Sequence, residues 1–76
     1  MDRGARVKFK PGSKAQANWR VGEDLAGWVL ARYRAPQPGL PERVDVRFGS
    51  GVTVWGERAS EFVELAADHR QLASAP

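Results

Sequence analysis

Two alternating runs of residues, joined by a short glycine loop, constrain the fold of this chain more than any other feature. Apolar side chains recur at every second position in residues 44–48 and 52–54, and Gly49, Ser50 and Gly51 lie between the runs. Side chains of a strand point alternately to opposite faces, so this pattern predicts a β-hairpin with one apolar face. That face comprises Val44, Val46, Phe48, Val52 and Val54, and the opposite face comprises Asp45, Arg47, Thr53 and Trp55.

Trp55 is the exception on the face that the alternation assigns to solvent. Its neighbours there, Asp45, Arg47 and Thr53, are all polar. A large aromatic side chain in such a position indicates a surface that contacts something, whether a ligand, a nucleic acid or another copy of the chain.

Three further segments have the composition of β-strands. Residues 6–10 alternate strictly and are ended by a proline and a glycine, because proline cannot donate a ladder hydrogen bond. Residues 25–34 also fit helical spacing, but their β-formers and Gly27, where a bend or a close backbone approach is easiest, favour a strand. Residues 63–65 are predicted to form a short last strand.

The segments between the strands are predicted to be loops. Residues 13–24 read as a polar loop that contains Trp19 and is long enough to border a site. Residues 35–42 contain three prolines and a glycine, which exclude a helix and a central strand.

The C-terminal region has two alternative interpretations. Residues 59–62 have the composition of a single helical turn that precedes the last strand. A longer helix starting at Ser60 also fits, because Phe62, Leu65 and Leu72 would then share one face. The longer helix would remove the last strand.

Four strands, a helical turn and a fifth short strand, in this order, resemble the SH3-like barrels, a group that includes Tudor and KOW modules. The expected fold is therefore all-β: a small five-stranded SH3-like barrel with a single helical turn before the last strand. Residues 6–65 are assigned to the barrel, residues 1–5 to a flexible N-terminus, and residues 66–76 to a flexible or partly helical C-terminal tail.

A chain of 76 residues has little room for a core. It buries about 60% of its unfolded surface, and such a core supplies only about 3 to 5 kcal/mol. There is no cysteine, and the one histidine, His69, has no second histidine with which to share a zinc ion. A homo-oligomer is the remaining source of stability. No apolar run is long enough for a membrane span, and the lack of cysteine fits a reducing compartment, so a cytoplasmic protein is expected.

Positive charge is concentrated in the first part of the chain. Residues 1–34 carry eight Lys and Arg against three Asp and Glu, whereas residues 35–76 carry four against six. Arg6, Lys8 and Lys10 share one face of the first strand and form a basic stripe, with tryptophans available for base stacking. The stripe indicates a nucleic-acid partner, or an ordinary solvated strand that charge protects from aggregation.

A more particular resemblance, over about residues 5–65, is to the small plasmid-encoded type II dihydrofolate reductases, whose subunit is an SH3-like barrel of nearly this length. It is most visible in Ala5-Arg6-Val7-Lys8, in residues 27–33 and in Gly51-Val52-Thr53-Val54-Trp55. The resemblance implies four copies around a central pore that binds NADPH. In that family a Val-Gln-Ile-Tyr stretch lines the pore and a nearby lysine attracts the anionic ligands.

The site residues of that family are replaced here. Thr53 takes the place of the glutamine and lacks its reach and its paired donor and acceptor. Trp55 takes the place of the tyrosine, and the lysine position falls on Phe9 or Lys10. The resemblance therefore predicts a shared scaffold without the shared reaction.

Catalytic motifs are lacking in the rest of the sequence. Ser50 does not have the spacing of a nucleophile elbow, and its glycine loop lacks the lysine of a phosphate-binding loop. Glu23 and Asp24 are adjacent carboxylates with no further metal ligands nearby, and His69 is expected in the solvated tail. No cofactor is expected, and binding is expected in preference to catalysis.

The sequence thus predicts a non-catalytic binding module that meets a protein or peptide, or a second copy of itself, through exposed aromatic side chains. Trp28 and Tyr33 are predicted to lie in the barrel core or at a subunit contact. The alternatives are a reductase-like NADPH-binding oligomer and a nucleic-acid-binding barrel that uses the basic first strand. The predicted ligand-binding residues are Trp55, Thr53, Trp19, Lys8 and Lys10.

Overall fold

The computed structural model describes residues 1–66. These residues form β1 (Arg6–Phe9), α1 (Lys14–Trp19), β2 (Gly27–Tyr33), β3 (Arg43–Phe48), β4 (Thr53–Arg58), a 3-10 turn (Ala59–Glu61) and β5 (Phe62–Glu64). The strands make one antiparallel sheet in the order β4-β3-β2-β1-β5. The prediction of an all-β fold with five strands and one helical turn before the last strand is confirmed.

The core follows from the alternation of the strands. Four of the five residues of the predicted apolar face are buried, with Val44, Val46 and Val54 fully covered, and the fifth, Val52, is partly buried against the core. Phe9 of β1 stacks on Phe48 of β3 and on a phenylalanine of β5, with ring centroids 5.5 and 4.4 Å apart. Because β3 and β5 lie on opposite sides of β1, the sheet must curl for both rings to reach Phe9. Each buried phenylalanine stabilises the fold by about 1.5–3 kcal/mol.

The hairpin loop has the predicted three residues. The amide of Phe48 donates to the carbonyl of Val52, and the amide of Gly51 donates to the carbonyl of Phe48, both at 2.9 Å. Gly51 has a φ of +92°, a conformation that glycine adopts without steric cost. The glycine therefore sets the loop that keeps β3 and β4 in register.

The segment around Gly27 is a strand, as predicted. A Cβ at Gly27 would lie 2.8 Å from the carbonyl oxygen of Arg47 and 2.8 Å from a methyl carbon of Val46, so β2 and β3 approach too closely for any side chain there. The register between these strands shifts between Val29 and Ala31, which leaves Leu30 as an extra residue. This bulge is a feature that the sequence pattern did not indicate.

The expectation of a loop throughout residues 13–24 is wrong, because α1 lies within it. Ser13 caps the helix by accepting a hydrogen bond from the amide of Gln16, and Arg20 ends it in a left-handed conformation with φ +57°. Lys, Ala and Gln favour helices, and the Ser13-x-x-Gln16 spacing is that of a capping box. Ala15 is the one buried residue of the helix and attaches it to the core.

The last strand forms by pairing with β1. The amide of Lys10 donates to the carbonyl of Glu61 at 2.9 Å, and the hydroxyl of Ser13 donates to the side chain of Glu61 at the same distance. The turn and strand contradict a helix that starts at Ser60; Leu72 and His69 lie outside the described residues. Within residues 1–66 there is no helix of the length and apolarity that a membrane crossing requires.

Candidate binding surface

Strand register defines the side of the sheet that faces away from the core. Trp28 of β2 lies opposite Arg47 of β3, which lies opposite Thr53 of β4. Arg6 of β1 lies opposite Trp28 on the other side. We call the aromatic and arginine-rich part of this surface the outer face; its residues are Arg6, Trp28, Tyr33, Arg43, Asp45, Arg47, Thr53, Trp55 and Arg58. Lys8 and Ala31 lie on the same side of the sheet, next to it.

Three aromatic side chains of the outer face are open to solvent. Trp28, Tyr33 and Trp55 are 45%, 50% and 63% exposed. The expectation that Trp28 and Tyr33 lie in the barrel core is therefore wrong; a subunit contact there stays a prediction. Within residues 1–66, the rings that touch one another are those of the core phenylalanines, so the exposed rings are spread over the face and do not form a cage.

Asp45 belongs to the outer face by register but is not exposed to solvent as the alternation predicted. Its side chain is 4% exposed. One carboxylate oxygen accepts a hydrogen bond from the hydroxyl of Tyr33 at 2.5 Å, and the other accepts from the amide of Gly56 at 2.7 Å. Charge-assisted bonds of this kind offset the cost of burying a carboxylate.

A β-bulge in β4 makes this burial possible. The pairing of β3 with β4 shifts between Val44 and Val46, and Gly56 has a φ of +63° there. The bulge directs the amide of Gly56 toward Asp45, while its carbonyl accepts a hydrogen bond from the Arg43 guanidinium at 2.8 Å. Both backbone groups next to Trp55 are thus bonded by β3 side chains, which fixes the backbone that carries the most exposed ring.

Tyr33 and Trp28 are restrained by polar neighbours. The hydrogen bond to Asp45, followed by partial burial and the charge of the carboxylate, raises the pKa of Tyr33 above its ordinary value. The guanidinium carbon of Arg6 lies 5.8 Å from the ring centroid of Trp28, within the range of a cation–π contact. The face therefore presents restrained aromatic rings beside arginine side chains.

The predicted site residues are divided among separate places. Thr53 and Trp55 lie together on the outer face, two residues apart on β4. Trp19, the last residue of α1, packs against the core, and its indole N–H donates to Glu57 at 3.3 Å. Glu57 lies opposite Val44, a core residue, so Trp19 is near the inner side of β4 and not beside Trp55.

Lys8 and Lys10 lie on β1 and just after it, separated from β4 by two strands. The ammonium group of Lys8 is 3.3 Å from a carboxylate oxygen of Asp24. Lys10 lines a cleft of about 110 Å³ together with Glu23 and Asp24. We call these four residues the lysine patch. One of its lysines is ion-paired, and the other shares a cleft with two carboxylates.

A second cleft adjoins the outer face. It has a volume of about 310 Å³ and shares Tyr33 and Arg43 with that face. The remaining lining residues are Arg34, Pro36, Leu40 and Pro41. An apolar wall with two guanidinium groups at its rim suits a ligand that has both a flat apolar part and negative charge.

None of the four outer-face arginines was among the predicted ligand-binding residues. The sequence pattern placed Arg6 and Arg47 on an exposed strand face but did not indicate Arg43 and Arg58. Arg43 continues the alternation of Asp45 and Arg47, so one further step of the same period would have found it. Arg58 could not be found by alternation, because strict alternation from Trp55 places Glu57 on the outer face. The bulge at Gly56 reverses that assignment and puts an arginine there in place of an acid.

No protein-family model, no curated protein and no solved structure matches this chain. In the part of the chain that the structure describes, no three metal-ligating side chains are grouped to hold an ion. The Tyr33 and Asp45 pair does not resemble a nucleophile with its base, since a raised pKa keeps the phenol protonated at neutral pH. What this surface offers chemically is stacking, cationic contacts and hydrogen-bond donors.

Proposed function

We propose that this chain is a non-catalytic binding module of the SH3-like barrel type, and that the outer face is its binding surface. The strand order, with β1 between β2 and β5, and the 3-10 turn before β5 support that fold assignment. The outer face is the surface that best fits a binding role among residues 1–66.

The observation that carries the proposal is the exposure of three large rings on one sheet face. Trp28, Tyr33 and Trp55 are all at least 45% exposed, although burying a side chain of this size is favourable. Exposed aromatic groups clustered with arginines are typical of the energetic centre of binding surfaces. Their supports, Asp45 and the backbone of Gly56, hold the surface in place before any partner arrives.

Protein NMR tests this proposal directly. The indole N–H signals of Trp28 and Trp55 report on the outer face, and that of Trp19, which is bonded to Glu57, is an internal control. The ligand panel comprises an oligothymidine, a proline-rich peptide, an acidic peptide and NADPH, and a dilution series with light scattering covers self-association. At least one of these conditions should shift the Trp28 and Trp55 signals and leave that of Trp19 in place.

Two results would count against the proposal. If no ligand and no dilution moved the two outer-face signals, the exposed rings would have no binding role. If NADPH moved them in a tetramer, the reductase-like oligomer would be the better description. The variant Trp55→Ala removes an exposed ring from an edge strand and should leave the fold intact. In this variant, a ligand that binds through the outer face should shift the Trp28 signal less or not at all.

A further inference from the structure

We infer that the outer face binds single-stranded nucleic acid, with bases stacked on Trp28 and Trp55 and phosphates held by the neighbouring arginines. The inference rests on the proposed function, since it names the partner of the same surface. It depends on three observations: the sign of the charge, the arrangement of the rings and the course of the adjoining cleft.

The charge of the outer face has one sign. Its four arginines, Arg6, Arg43, Arg47 and Arg58, are all exposed, and its one carboxylate, Asp45, is 4% exposed and bonded by two donors. No carboxylate among the residues of this face is exposed. The exposed acid Asp24 lies on this side of the sheet, 3.3 Å from Lys8 at the β1 margin.

The other acids of residues 1–66 bond to groups away from this face or lie on loops. Asp2 and Glu42 hold the guanidinium of Arg32 at 2.6 and 3.3 Å. Glu57 accepts from Trp19, and Glu64 lies 3.8 Å from the N-terminal amine. The fold thus separates acids from the arginine-rich surface, although the chain as a whole carries a net charge of only +3.

The rings and arginines alternate across the sheet. Arg6, Trp28, Arg47 and Thr53 form a row over four successive strands. Trp28 and Trp55 lie on strands that have β3 between them, about 10 Å apart across the sheet. Trp55 is two residues further along β4 than Thr53, so the two rings are offset diagonally, with Arg47 opposite Trp28 on the strand between them. A nucleic-acid backbone that joins bases stacked on the two rings would cross β3 beside Arg47. Sheet faces with aromatic platforms stack single-stranded bases in this way.

The cleft beside Tyr33 continues the surface. Arg34 and Arg43 border it, and Pro36, Leu40 and Pro41 supply its apolar wall. A single-stranded nucleic acid that crosses the two tryptophans can therefore place a further base against Tyr33, with the phosphate of that nucleotide near Arg43.

Other occupants fit the face less well. A second copy would bring arginines against arginines with no exposed carboxylate between them, and like charges in contact oppose association. A duplex conceals the base faces that the tryptophans would stack on. An acidic peptide would pair with the arginines, but its carboxylates would leave the exposed aromatic rings without a stacking partner.

The test uses fluorescence anisotropy of a labelled oligothymidine of about 12 nucleotides, a length within the range that single-strand-binding domains cover. The full chain is titrated at about 50 mM and about 200 mM salt, beside a duplex of the same length. With three or four phosphate contacts, binding should weaken roughly 20- to 50-fold over this range. Trp28→Ala and Trp55→Ala should each weaken binding roughly fivefold or more.

Two charge variants separate the outer face from the lysine patch. Arg47→Gln should weaken binding and reduce the slope of log K against log salt by about 0.7, the value for one phosphate contact. Lys10→Gln removes the same charge from the lysine patch and should change affinity less than twofold. A larger effect of Lys10→Gln than of Arg47→Gln would overturn the assignment to the outer face.

The remaining outcomes are distinguishable. No anisotropy change at the lower salt concentration would overturn the inference, and so would equal binding of duplex and single strand with no effect of either tryptophan variant. If a peptide or self-association then shifted the Trp28 and Trp55 NMR signals, the binding module would stand with another partner. If nothing shifted them, both proposals would fail.

Discussion

The outer face and the lysine patch both contain basic residues, but they differ in whether the fold places exposed carboxylates beside them. In the lysine patch, the loop after α1 brings Asp24 to 3.3 Å from Lys8 and places Glu23 in the cleft with Lys10. On the outer face Arg6 contacts a ring, Arg43 contacts a backbone carbonyl, and the carboxylate of Asp45 is buried. A run of basic residues on a strand therefore forms a positively charged surface only where no neighbouring loop places acidic side chains beside it.

The largest effect is expected from Gly27→Ala, which forces apart β2 and β3, the two central strands that carry the outer face. The new Cβ would lie 2.8 Å from a backbone oxygen of β3, and backbone cannot rotate away as a side chain can. We expect a loss of about 3 kcal/mol in the free energy of unfolding, measured by urea denaturation. Gly49→Ala is the control, because no atom lies within 4 Å of its Cβ position. Equal stability of the two variants would contradict the close approach of β2 and β3.

A smaller loss is expected from Asp45→Ala, which removes the support shared by Tyr33 and Gly56. The amide of Gly56 would be left without its partner, at a cost of about 2 kcal/mol in unfolding free energy. Tyr33→Phe should cost less, and adding it to Asp45→Ala should cost almost nothing more, because its partner is already absent. Additive losses in this double-mutant cycle would show that the two side chains are not coupled. Glu23→Ala, an exposed acid of the lysine patch, is the control.

Alkaline pH should distinguish the two regions through Tyr33. The pKa of this phenol is raised in the folded state by its hydrogen bond to Asp45, so folding favours the protonated form. This contribution is complete below the unfolded pKa of about 10 and is lost as pH rises through the folded value. Tyr33→Phe should therefore lose less stability than the unmodified chain as pH rises above about 10, measured by denaturation at each pH. Parallel pH curves would contradict the bond.

The smallest effect is expected from Asp24→Asn in the lysine patch. Asp24 is almost fully exposed, and ion pairs of this kind contribute less than about 1 kcal/mol. The free energy of unfolding should change by no more than this, and the change should disappear in high salt. Oligothymidine affinity should rise less than twofold, since the lysine patch is not the binding surface. A rise comparable to the loss in Arg47→Gln would show that the lysine patch, and not the outer face, holds the phosphates.

Strands β1, β3 and β4 were predictable because their apolar residues alternate, and the hairpin loop and the covered valines of β3 and β4 follow from that spacing. Strand β2 and the turn before β5 were predicted from composition. The helix α1 was missed because it has only six residues, of which one is buried, and shows no apolar period. The signal that could have found it was the capping box that begins at Ser13. Among the site residues, Thr53 and Trp55 do share a face, while Trp19 bonds to the inner side of β4.

Sequence by itself determined which residues of β1, β3 and β4 enter the core, because burial on a strand follows a period of two. It did not indicate Ala15 and Val21, which enter the core from the segment around α1. Only the tertiary structure decided what the other side presents. A bulge at Gly56 moved Arg58 onto the outer face in place of Glu57, and it buried Asp45 against Tyr33. The physical reason is that a bulge adds one residue to a strand, so every side chain after it points to the opposite face. Where a bulge forms depends on contacts between strands rather than on local spacing.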